Sequence, residues 1–299
     1  MNDVSVVIAT LGGDSIDSTI SALNKGRIRP SEILICIPGE FSYLVERFNS
    51  VPNVRIIETS CKGQVAQRAV GFQCAAHDLV LQLDDDIQLH SDCLRNLVEC
   101  LERSGNVAVA PKMHDIRTKK YHAFLVPDDN DRSLAQILLF WVVNGRVGYQ
   151  PGQIGRAGIG MGVPEYPNEW SNLAWLPGGC ILHKRKNLVL YNYYPFKGKA
   201  FAEDLFHSAL MRRKGVSLIR CGLAICDVDF SGDLRIGIFG RVKWYQQYGK
   251  ALHEFLRQEG GSPFFLYTFL LLNLGFHVGN KFFTVLRKSF GASIQKDVV

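Results

Sequence analysis

The sequence predicts an α/β protein with a doubly wound, mostly parallel sheet flanked by helices. Short apolar runs of strand length alternate with segments of helical period through the first third of the chain. This β-α-β alternation is typical of a parallel sheet that is covered by helices on both faces. Hydrophobic residues make up 47% of the 299 residues, which is enough for a large core, and no low-complexity tract interrupts them.

The predicted strands of the first third are the apolar runs at residues 4–9, 33–37, 54–57, 79–83 and 107–110. Three predicted helices lie between them, one after Asp14 or Ser15, one at residues 63–76 and one capped by Ser91 and Asp92. The third helix has inward-facing apolar residues at i, i+3, i+4 and i+7, namely Leu94, Leu97, Val98 and Leu101. The turn that begins at Thr10 contains Gly12 and Gly13, so we expect it to let a ligand approach the backbone.

Three consecutive carboxylates, Asp84, Asp85 and Asp86, follow the predicted strand at residues 79–83. Like charges at one strand end repel one another unless something neutralises them. Hard oxygen ligands suit Mg²⁺ or Mn²⁺, and ligands usually bind at the carboxyl ends of strands in open α/β sheets. The alternative is a solvated acidic loop that caps the next helix. The triplet alone leaves both interpretations open.

The regularity fades between residues 112 and 172, where glycines punctuate the chain at positions 152, 155, 158, 160 and 162. No strand-turn-helix pattern frames these glycines, which argues against a dinucleotide-binding fingerprint. We expect a mobile or substrate-covering loop here.

A second acidic pair, Glu203 and Asp204, opens a predicted helix that runs through Arg213. Acids at a helix start are favoured by the helix dipole, and this alone could explain the pair. The functional alternative is a general base, because one carboxylate can raise the pKa of its neighbour. The small-residue turn at Gly178 and Gly179 precedes a predicted strand. A last strand at residues 216–226 is followed by Asp227 and Asp229, which form another acidic strand end.

The end of the chain is basic and apolar. From Arg235 onward there are nine Lys and Arg residues against three Asp and Glu, so the whole net charge of +6 lies there. A helix is predicted at residues 243–257, and the 21 residues from 260 to 280 carry no formal charge. Polar residues on one face of the segment after Gly260 favour a helix lying in a membrane interface over a spanning helix, with Arg287 and Lys288 reaching lipid phosphates. The alternative is a helix that packs on the body or on a second copy.

Cysteine usage and the N-terminus indicate the compartment. The eight cysteines are scattered without a C-x-x-C pair, which fits a reducing environment. The first residues lack the basic region of a signal peptide. We therefore expect a cytoplasmic protein at the inner face of the cell membrane. No nucleic-acid-binding module is recognisable, and the oligomeric state is open.

Several of these segments, in this order, resemble the family-two glycosyltransferases. They are the apolar first strand, Lys62-Gly63 with Gln67-Arg68 and Gly71, the sequence LQLDDD, the PGGC strand and Phe201-Ala202-Glu203-Asp204. The resemblance covers roughly residues 3–230. It implies a GT-A fold and transfer of a sugar with inversion from a nucleotide-sugar donor, with Mg²⁺ or Mn²⁺ as cofactor.

The resemblance also implies roles for individual residues. Asp84 to Asp86 match the D-x-D motif, so Asp86 is expected to bind the metal while Asp84 or Asp85 contacts ribose or metal. Asp204 of the E-D pair is expected to be the base, with Glu203 beside it. The expected donor-binding residues are Thr10, Arg68, Asp84, Asp85, Gly178 and Gly179, and Asp229 or Asp227 is a further candidate metal ligand.

Three features differ from the family pattern. Relatives carry an Asp after the second strand that reads uracil, but Ile37-Pro38-Gly39 stands here, which leaves Glu40 or backbone groups to read the base. Relatives often place a His after the last strand, where this chain has Asp227 and Asp229. The Q-x-x-R-W motif and the spanning helices of processive members are missing, which favours addition of a single sugar.

The sequence thus predicts a glycosyltransferase domain at residues 1–230, with a nucleotide-binding part at 1–113 and an acceptor part at 114–230. A helical, membrane-associating extension follows at 231–299. The predicted acceptor is a glycan or a lipid-linked molecule, as in polysaccharide biosynthesis. The alternatives are a sugar-nucleotide nucleotidyltransferase, although the basic residue usual after the first strand is missing, and a catalytically silent carbohydrate- or lipid-binding relative.

Overall fold

A computed structural model of the chain describes residues 3–126, 134–230 and 238–275. Within these ranges nine strands form one sheet in the order β3-β2-β1-β4-β8-β6-β9-β5, and β7 pairs with β9. The strands are β1 (Val4–Ala9), β2 (Glu32–Pro38), β3 (Val54–Thr59), β4 (Leu79–Asp84), β5 (Ile87–Leu89), β6 (Val107–Asp115), β7 (Glu169–Trp170), β8 (Cys180–Lys184) and β9 (Ser217–Val228).

Helices cover the sheet. They are α1 (Ile16–Lys25), α2 (Gln64–Cys74), α3 (Cys93–Arg103), α4 (Leu134–Asn144), α5 (Glu203–Arg213) and α6 (Ile238–Glu259), and residues 263–275, here called α7, are also helical. No helix among the described residues is long and apolar enough to cross a membrane. The predicted fold class, an α/β sheet flanked by helices, is confirmed.

The first four strands of the sheet, β3, β2, β1 and β4, run parallel. Strands β1, β2 and β4 are almost wholly buried, as is usual for a parallel sheet covered on both faces, whereas β3 at the edge is partly exposed. Side chains of β1 alternate between two cores: Val6 and Ile8 pack with α1 and α3, whereas Val7 packs with Phe72 of α2 on the opposite face. Antiparallel pairing enters at β8, which lies between β4 and β6. Ala9 of β1 is paired with Asp84 of β4, so the chain leaves both strands at the same edge.

The structure extends the predicted strand β6 and adds helix α4. Strand β6 continues from the predicted residues 107–110 to Asp115, and its pairing with β9 shifts between Pro111 and Lys112. The prediction of irregular chain at 112–172 missed α4. This helix is apolar on every side, so it has no polar face from which a helical period could be recognised.

A second core joins the later parts of the chain. Phe140 and Val143 of α4, Phe206 of α5 and Phe255 of α6 are buried in one cluster, together with Leu266 and Phe269 of α7. The described part of the C-terminal segment therefore packs on the body along one face, which was the alternative to the membrane interpretation for that face. Residues 276–299, including Arg287 and Lys288, lie outside the described residues.

Candidate active site

The candidate site lies where β1 and β4 end, beside the turn into β8 and the first turn of α5. Parallel strands bring their carboxyl ends to one edge of the sheet, which places Thr10 next to the acidic triplet. The antiparallel strand β8 begins at the same edge, and the Asp84 backbone N–H donates to Gly179 O at 2.8 Å. The predicted acidic sets, Asp84–Asp86 and Glu203-Asp204, therefore meet at one place.

The three carboxylates of the triplet have different surroundings. Asp84 accepts hydrogen bonds from Gln64 Nε2 at 2.8 Å and from Arg68 Nη2. Asp85 accepts from Thr10 Oγ1, and burial raises its pKa. Partial desolvation and then the negative charges of Asp84 and Asp85 raise the pKa of Asp86 to about 6. Asp86 is also the exposed member of the triplet, so it presents a crowded carboxylate to solvent.

Gln67 ties together the strand ends that support Thr10. Its buried Nε2 donates to Thr10 O and to Cys36 O, both at 2.8 Å, and its Oε1 accepts from Gly63 N at 3.1 Å. The turn after β1 is thereby fixed to β2 and to the start of α2. Thr10, a predicted donor-binding residue, is only 4% exposed. Its hydroxyl donates to Asp85 and therefore helps to orient that carboxylate.

Arg68 joins the two acidic sets. Its side chain is 2% exposed and pairs with Asp84 and, at 2.6 Å, with Glu203. Burial opposes the positive charge, but Glu203 and Asp84 outweigh this effect and hold the pKa of Arg68 above its usual value. The guanidinium is thus a counter-charge shared by the two acidic sets, and the predicted contact of Arg68 with the nucleotide stays a prediction.

Glu203 and Asp204 are neighbours with different tasks. Glu203 is buried, accepting from Arg68 through Oε1 and from the Tyr193 hydroxyl through Oε2 at 2.8 Å. Asp204 accepts from the backbone N–H of Leu205 at 3.0 Å and from its own backbone N–H. Burial and then the charge of Glu203 raise the pKa of Asp204 to about 7. Of the pair, Asp204 is therefore the carboxylate that can exchange a proton near neutral pH.

Gly178 and Gly179 allow the acidic sets to come together. A Cβ on Gly178 would overlap Glu203 Oε1, and a Cβ on Gly179 would lie 2.7 Å from Ile87 Cδ1 and 3.1 Å from Asp84 Oδ2. The backbone of this turn thus fills the space between the Glu203 and Asp84 side chains. Both residues were predicted as donor-binding positions.

Asp227 and Asp229, at the end of β9, have different surroundings. Asp227 is 6% exposed, and its Oδ2 lies 2.7 Å from Lys119 Nζ and 3.2 Å from His90 Nε2. Asp229 is half exposed, lies 3.8 Å from Arg117 Nε and adds to the negative potential at Asp86. Of the two candidates Asp229 is the one on the side of the triplet. Within the described ranges, no three His, Cys, Asp or Glu side chains are grouped as a complete metal site.

The chemistry of Asp86 fits a divalent cation. Its carboxylate lies beside those of Asp84 and Asp85. Burial and these two negative charges raise the pKa of Asp86, and a hard divalent cation would offset the repulsion among the three carboxylates. Asp84 already has Arg68 as its counter-charge, so Asp86 is the principal protein ligand that the triplet offers. Water and oxygens of a diphosphate would have to complete the coordination.

A cleft of about 300 Å³ opens beside Asp204. Its walls come from β6, the glycine-rich loop, the turn before β8 and helix α6, and they include Phe124, Gly160, Trp175, Pro177, Trp244 and Tyr248. Trp244 and Tyr248 stack with ring centroids 4.7 Å apart. Asp204 is thus the acidic group of an aromatic, largely apolar cleft.

The glycine-rich loop is one of these walls. Ala157, Ile159 and Met161 of this loop are fully buried, and Trp175 Nε1 donates to Met161 O at 2.8 Å. Gly160 lies under the Trp175 ring, where a Cβ would come within 2.6 Å of it. The loop is built into the core with one side toward the cleft. The loop thus forms a wall of the cleft, and its predicted role as a mobile or substrate-covering segment stays a prediction.

The turn after β2, where relatives carry an Asp that reads the uracil base, has other residues in this chain. Strand β2 ends at Pro38, and Gly39 opens a short 3₁₀ helix on which Glu40 is exposed. The same helix carries Phe41, whose ring lies 4.7 Å from Lys62 Nζ. Glu58 of β3 is the side chain nearest to Gly39, with Oε2 3.6 Å from the place of a Cβ.

Comparison with known proteins agrees with this architecture. The glycosyl transferase family 2 model matches residues 5–150. The chain is similar in structure to GalNAc-T7 bound to UDP, GalNAc and Mn²⁺, with a TM-score of 0.54 and 15% identity over 77% of this chain and 43% of that one. It also resembles S. aureus TarS 1-349 in complex with UDP-GlcNAc, with a TM-score of 0.46 and 15% identity over 74% of this chain and 56% of that one. The chain spans about half the length of these proteins, and no curated protein matches it in sequence.

The sheet and its helices form a GT-A type fold, which GalNAc-T7 shares. Residues 5–150, just under half of the chain, match the model of glycosyl transferase family 2. The resemblance stated from the sequence motifs is thereby confirmed. The similarity to GalNAc-T7 supports the fold alone, because the two chains share only 15% of their residues.

Proposed function

We propose that the chain is an inverting glycosyltransferase that moves one sugar from a nucleoside-diphosphate sugar to a glycan or lipid-linked acceptor. The observation that carries this proposal is the position of Asp204. It is a carboxylate with a pKa near 7 that lines an apolar cleft and adjoins the acidic triplet through Arg68 and Glu203.

Asp204 would act as the general base. An acceptor hydroxyl bound in the cleft would give its proton to Asp204 while its oxygen attacks the anomeric carbon. One displacement opposite the leaving diphosphate inverts the configuration of that carbon. A base whose pKa lies near the working pH is largely free to accept a proton and still basic enough to do so. Glu203 is a positioning residue, because both of its oxygens already accept hydrogen bonds.

The acidic triplet would bind the donor. Asp86, with Asp229 on the same side, would hold Mg²⁺ or Mn²⁺, and such a cation supplies positive charge to the departing diphosphate. Asp84 or Asp85 would contact the ribose or the metal, with their orientation fixed by Gln64, Arg68 and Thr10. Gly178 and Gly179 would let the donor sugar lie against backbone. GalNAc-T7 is seen with UDP, GalNAc and Mn²⁺ and TarS with UDP-GlcNAc, and we extend a nucleotide-sugar donor to this chain by proposal.

The cleft supports a bulky acceptor. Aromatic rings such as Trp244 and Tyr248 offer flat apolar faces to a sugar ring or a lipid chain. The segment 231–299 would also contribute peripheral contact with the inner face of the cell membrane in the cytoplasm. We keep residues 1–230 as the transferase domain of this proposal, with α6 lending a wall to its acceptor cleft.

The two alternatives have less support. A nucleotidyltransferase would need a basic residue in the turn after β1, but that turn contains Leu11, Gly12, Gly13 and Asp14. A silent binding protein would not need a buried arginine to hold two acidic sets in register, because unpaired acids could simply be replaced.

Metal-dependent donor binding tests the proposal. A panel of nucleotide sugars, each with and without Mn²⁺, is screened for a rise in unfolding temperature, since a ligand that binds the native state stabilises it by mass action. The best donor is then titrated by calorimetry against Asp86→Asn. We expect the metal-dependent part of the affinity to disappear, and the metal affinity of the natural chain to fall as pH drops below about 6, where Asp86 is protonated.

The matched control is Asp78→Asn, which removes an exposed carboxylate at the amino end of the same strand. This variant should bind donor and metal like the natural chain. Metal-dependent affinity that is unchanged in Asp86→Asn would refute the assignment of the triplet.

A further inference from the structure

Helix α4 has apolar side chains on both faces. Phe140, Val142 and Val143 are buried in the core, but four large side chains point to solvent: Leu134, Ile137, Leu138 and Trp141, with exposed fractions of 84%, 40%, 45% and 47%. Positions i, i+3, i+4 and i+7 form one continuous stripe along a helix. A helix of 11 residues is too short to cross a bilayer, and a helix that is apolar all round needs a partner on its outer side.

Helix α7 repeats this arrangement. Leu266 and Phe269 are buried in the core, whereas Phe264 and Leu271 are exposed by 67% and 70% on the opposite side. Residues 263–275 carry no charged side chain at all. A soluble surface helix normally places polar and charged residues on this side.

Arg156 joins the two helices into one surface. Its guanidinium lies 4.9 Å from the centre of the Trp141 ring and 3.4 Å from the centre of the Phe265 ring. It also donates to the carbonyl oxygens of Val142 and Trp141 at the C-terminal end of α4. Phe265 in turn lies edge-on against Phe264, at 5.2 Å between ring centres. The exposed stripes of α4 and α7 therefore meet at Arg156.

The concentration of apolar groups here is unusual for the described surface. Sixteen large hydrophobic side chains are exposed among the described residues, and eight of them belong to α4, α7 and Val147 just after α4. Contiguous exposed patches of this kind mark sites of interaction with proteins or membranes.

We propose that α4 and α7 form one surface that lies in the interface of an anionic lipid bilayer. Neither helix contains an acidic residue, and Arg146 is exposed at the C-terminal end of α4. The chain continues beyond residue 275 with four Lys and Arg residues and one Asp. Cations around an apolar surface are attracted to anionic headgroups while the apolar groups enter the acyl boundary. Because the sequence just before α4 is acidic, we expect the attraction to anionic headgroups to come from the C-terminal end of α4, where Arg146 lies.

This inference deepens the membrane contact proposed above and adds a part of the chain that precedes the C-terminal extension. It also has a consequence for the acceptor, which rests on the proposed function. Phe140 and Val143 of α4 pack in one cluster with Ala157 and Ile159 of the glycine-rich loop, whose Gly160 lines the cleft beside Asp204. The lipid-facing surface and the cleft are thus two sides of one wall. A lipid-linked acceptor would reach Asp204 without leaving the membrane interface.

Vesicle binding by the full chain tests the surface. We expect the natural chain to sediment with vesicles of phosphatidylcholine and phosphatidylglycerol, and less with phosphatidylcholine alone. Replacing Ile137 and Leu138 together by Glu should weaken binding by more than about tenfold, since each loses the transfer of an apolar side chain from water. The control Leu223→Glu changes a leucine of strand β9 that is 58% exposed, and this variant should bind like the natural chain. Equal binding of the Ile137/Leu138 variant and the natural chain would overturn the proposal.

Fluorescence gives an independent measurement at one side chain. Brominated lipids quench tryptophans that enter the acyl boundary, so vesicles containing them should quench the natural chain and Trp170→Phe. Trp141→Phe should lose that quenching while it still binds vesicles. Quenching that persists in Trp141→Phe would show that α4 stays out of the bilayer.

Two further measurements separate this inference from its rivals. Sedimentation without lipid would overturn it if the natural chain formed dimers that the Ile137/Leu138 variant does not form, because the surface would then contact a second copy. Vesicle binding needs no donor or acceptor, and Asp204→Asn should bind vesicles like the natural chain. Absence of sugar transfer by the natural chain from every donor, with vesicle binding intact, would refute the proposed function and leave the lipid-facing surface standing.

Discussion

Arg68 is the residue on which the electrostatics of the site depend. Its guanidinium is the buried counter-charge of both Asp84 and Glu203, which come from β4 and α5. A buried charge that loses its partner must be desolvated without compensation, which costs much more than the loss of an exposed ion pair. The position of this one side chain therefore affects stability and function together.

We expect Arg68→Met to lower the free energy of unfolding by about 3–5 kcal/mol, because it leaves the Glu203 carboxylate buried without its cation. Urea denaturation measures this change. The control Arg47→Met removes an exposed pair with Asp17 and should cost less than about 1 kcal/mol. Equal losses in the two variants would mean that Arg68 is not the counter-charge of the site.

Asp204 predicts a pH dependence with a definite sign. Its pKa is raised to about 7, above the value near 4 of an ordinary Asp, and the ionised form is the one that accepts a proton. The rate of sugar transfer should therefore rise with pH and level off above about 7. Asp204→Asn should lower the rate by about 10²–10⁴-fold, whereas the affinity for the donor should change far less. Steady-state rates from pH 5 to 9, with donor affinity measured separately, check both points.

A normal rate in Asp204→Asn, or an acid limb with its midpoint near 4, would assign the base to another group. The metal site could contribute its own limb near pH 6 through Asp86. Measuring the profile at saturating metal separates these two groups.

Among the elements, the turn into β8 shows how backbone geometry determines the site. The positions without Cβ at Gly178 and Gly179 leave room for Glu203 on one side and for Asp84 on the other. A glycine is required here by close approach, because a side chain would occupy space that already contains carboxylate oxygen.

We expect Gly178→Ala to displace Glu203 and to cost about 1–3 kcal/mol of stability, as overpacking usually does. Sugar transfer should fall more than nucleotide binding, since Glu203 positions the base rather than the donor. The control Gly275→Ala adds a methyl group where no atom lies within 4 Å, and it should leave stability and transfer unchanged. Thermal unfolding and transfer rates measure both variants. A fully active, stable Gly178→Ala protein would contradict the close approach.

Periodicity predicted most elements, and the failures have physical causes. The bounds of β1 are those predicted, and Leu94, Leu97, Val98 and Leu101 of α3 are all buried, because local patterns of apolar residues determine which face enters the core. Helix α4 could not be predicted in this way because both of its faces are apolar.

The site was predictable only in part. The acidic sets were visible as runs of carboxylates at element ends. The bridge between them was not, because Arg68 and Glu203 lie 135 residues apart and nothing local indicates their pairing. Tyr193 and the cleft residues Trp244 and Tyr248 were missed for the same reason. Amphipathic periodicity in α6 indicated only that these aromatic residues share a helix face. The assignment of catalytic and metal roles stays a prediction.

At the scale of the whole molecule, one core joins helices α6 and α7 to α4 and α5. Leu266 of α7 is fully buried and Leu271 of the same helix is 70% exposed, although both belong to the same apolar segment. The two leucines therefore test separately the inner and the outer face of this helix.

We expect Leu266→Ala to lower the free energy of unfolding by about 2–5 kcal/mol, the range for large-to-small changes in a core. The matched variant Leu271→Ala should change it by less than about 0.5 kcal/mol. If α7 and the transferase domain unfold together, denaturation of Leu266→Ala should show a single transition at lower denaturant. A separate early transition would show that α7 is an independent unit.

Because Arg68 pairs with both acidic sets, binding of the donor and protonation of Asp204 should be thermodynamically linked. Asp84 and Glu203 share the positive charge of Arg68. After burial, the negative charge of Glu203 is the next cause of the raised pKa of Asp204. Whatever the donor does to the charge at Asp84 is therefore felt at the base, and by reciprocity the proton on Asp204 changes the affinity for the donor. The midpoint of the Asp204 titration should differ between the free and the donor-bound protein. In this way arrival of the sugar donor would prepare the group that deprotonates the acceptor.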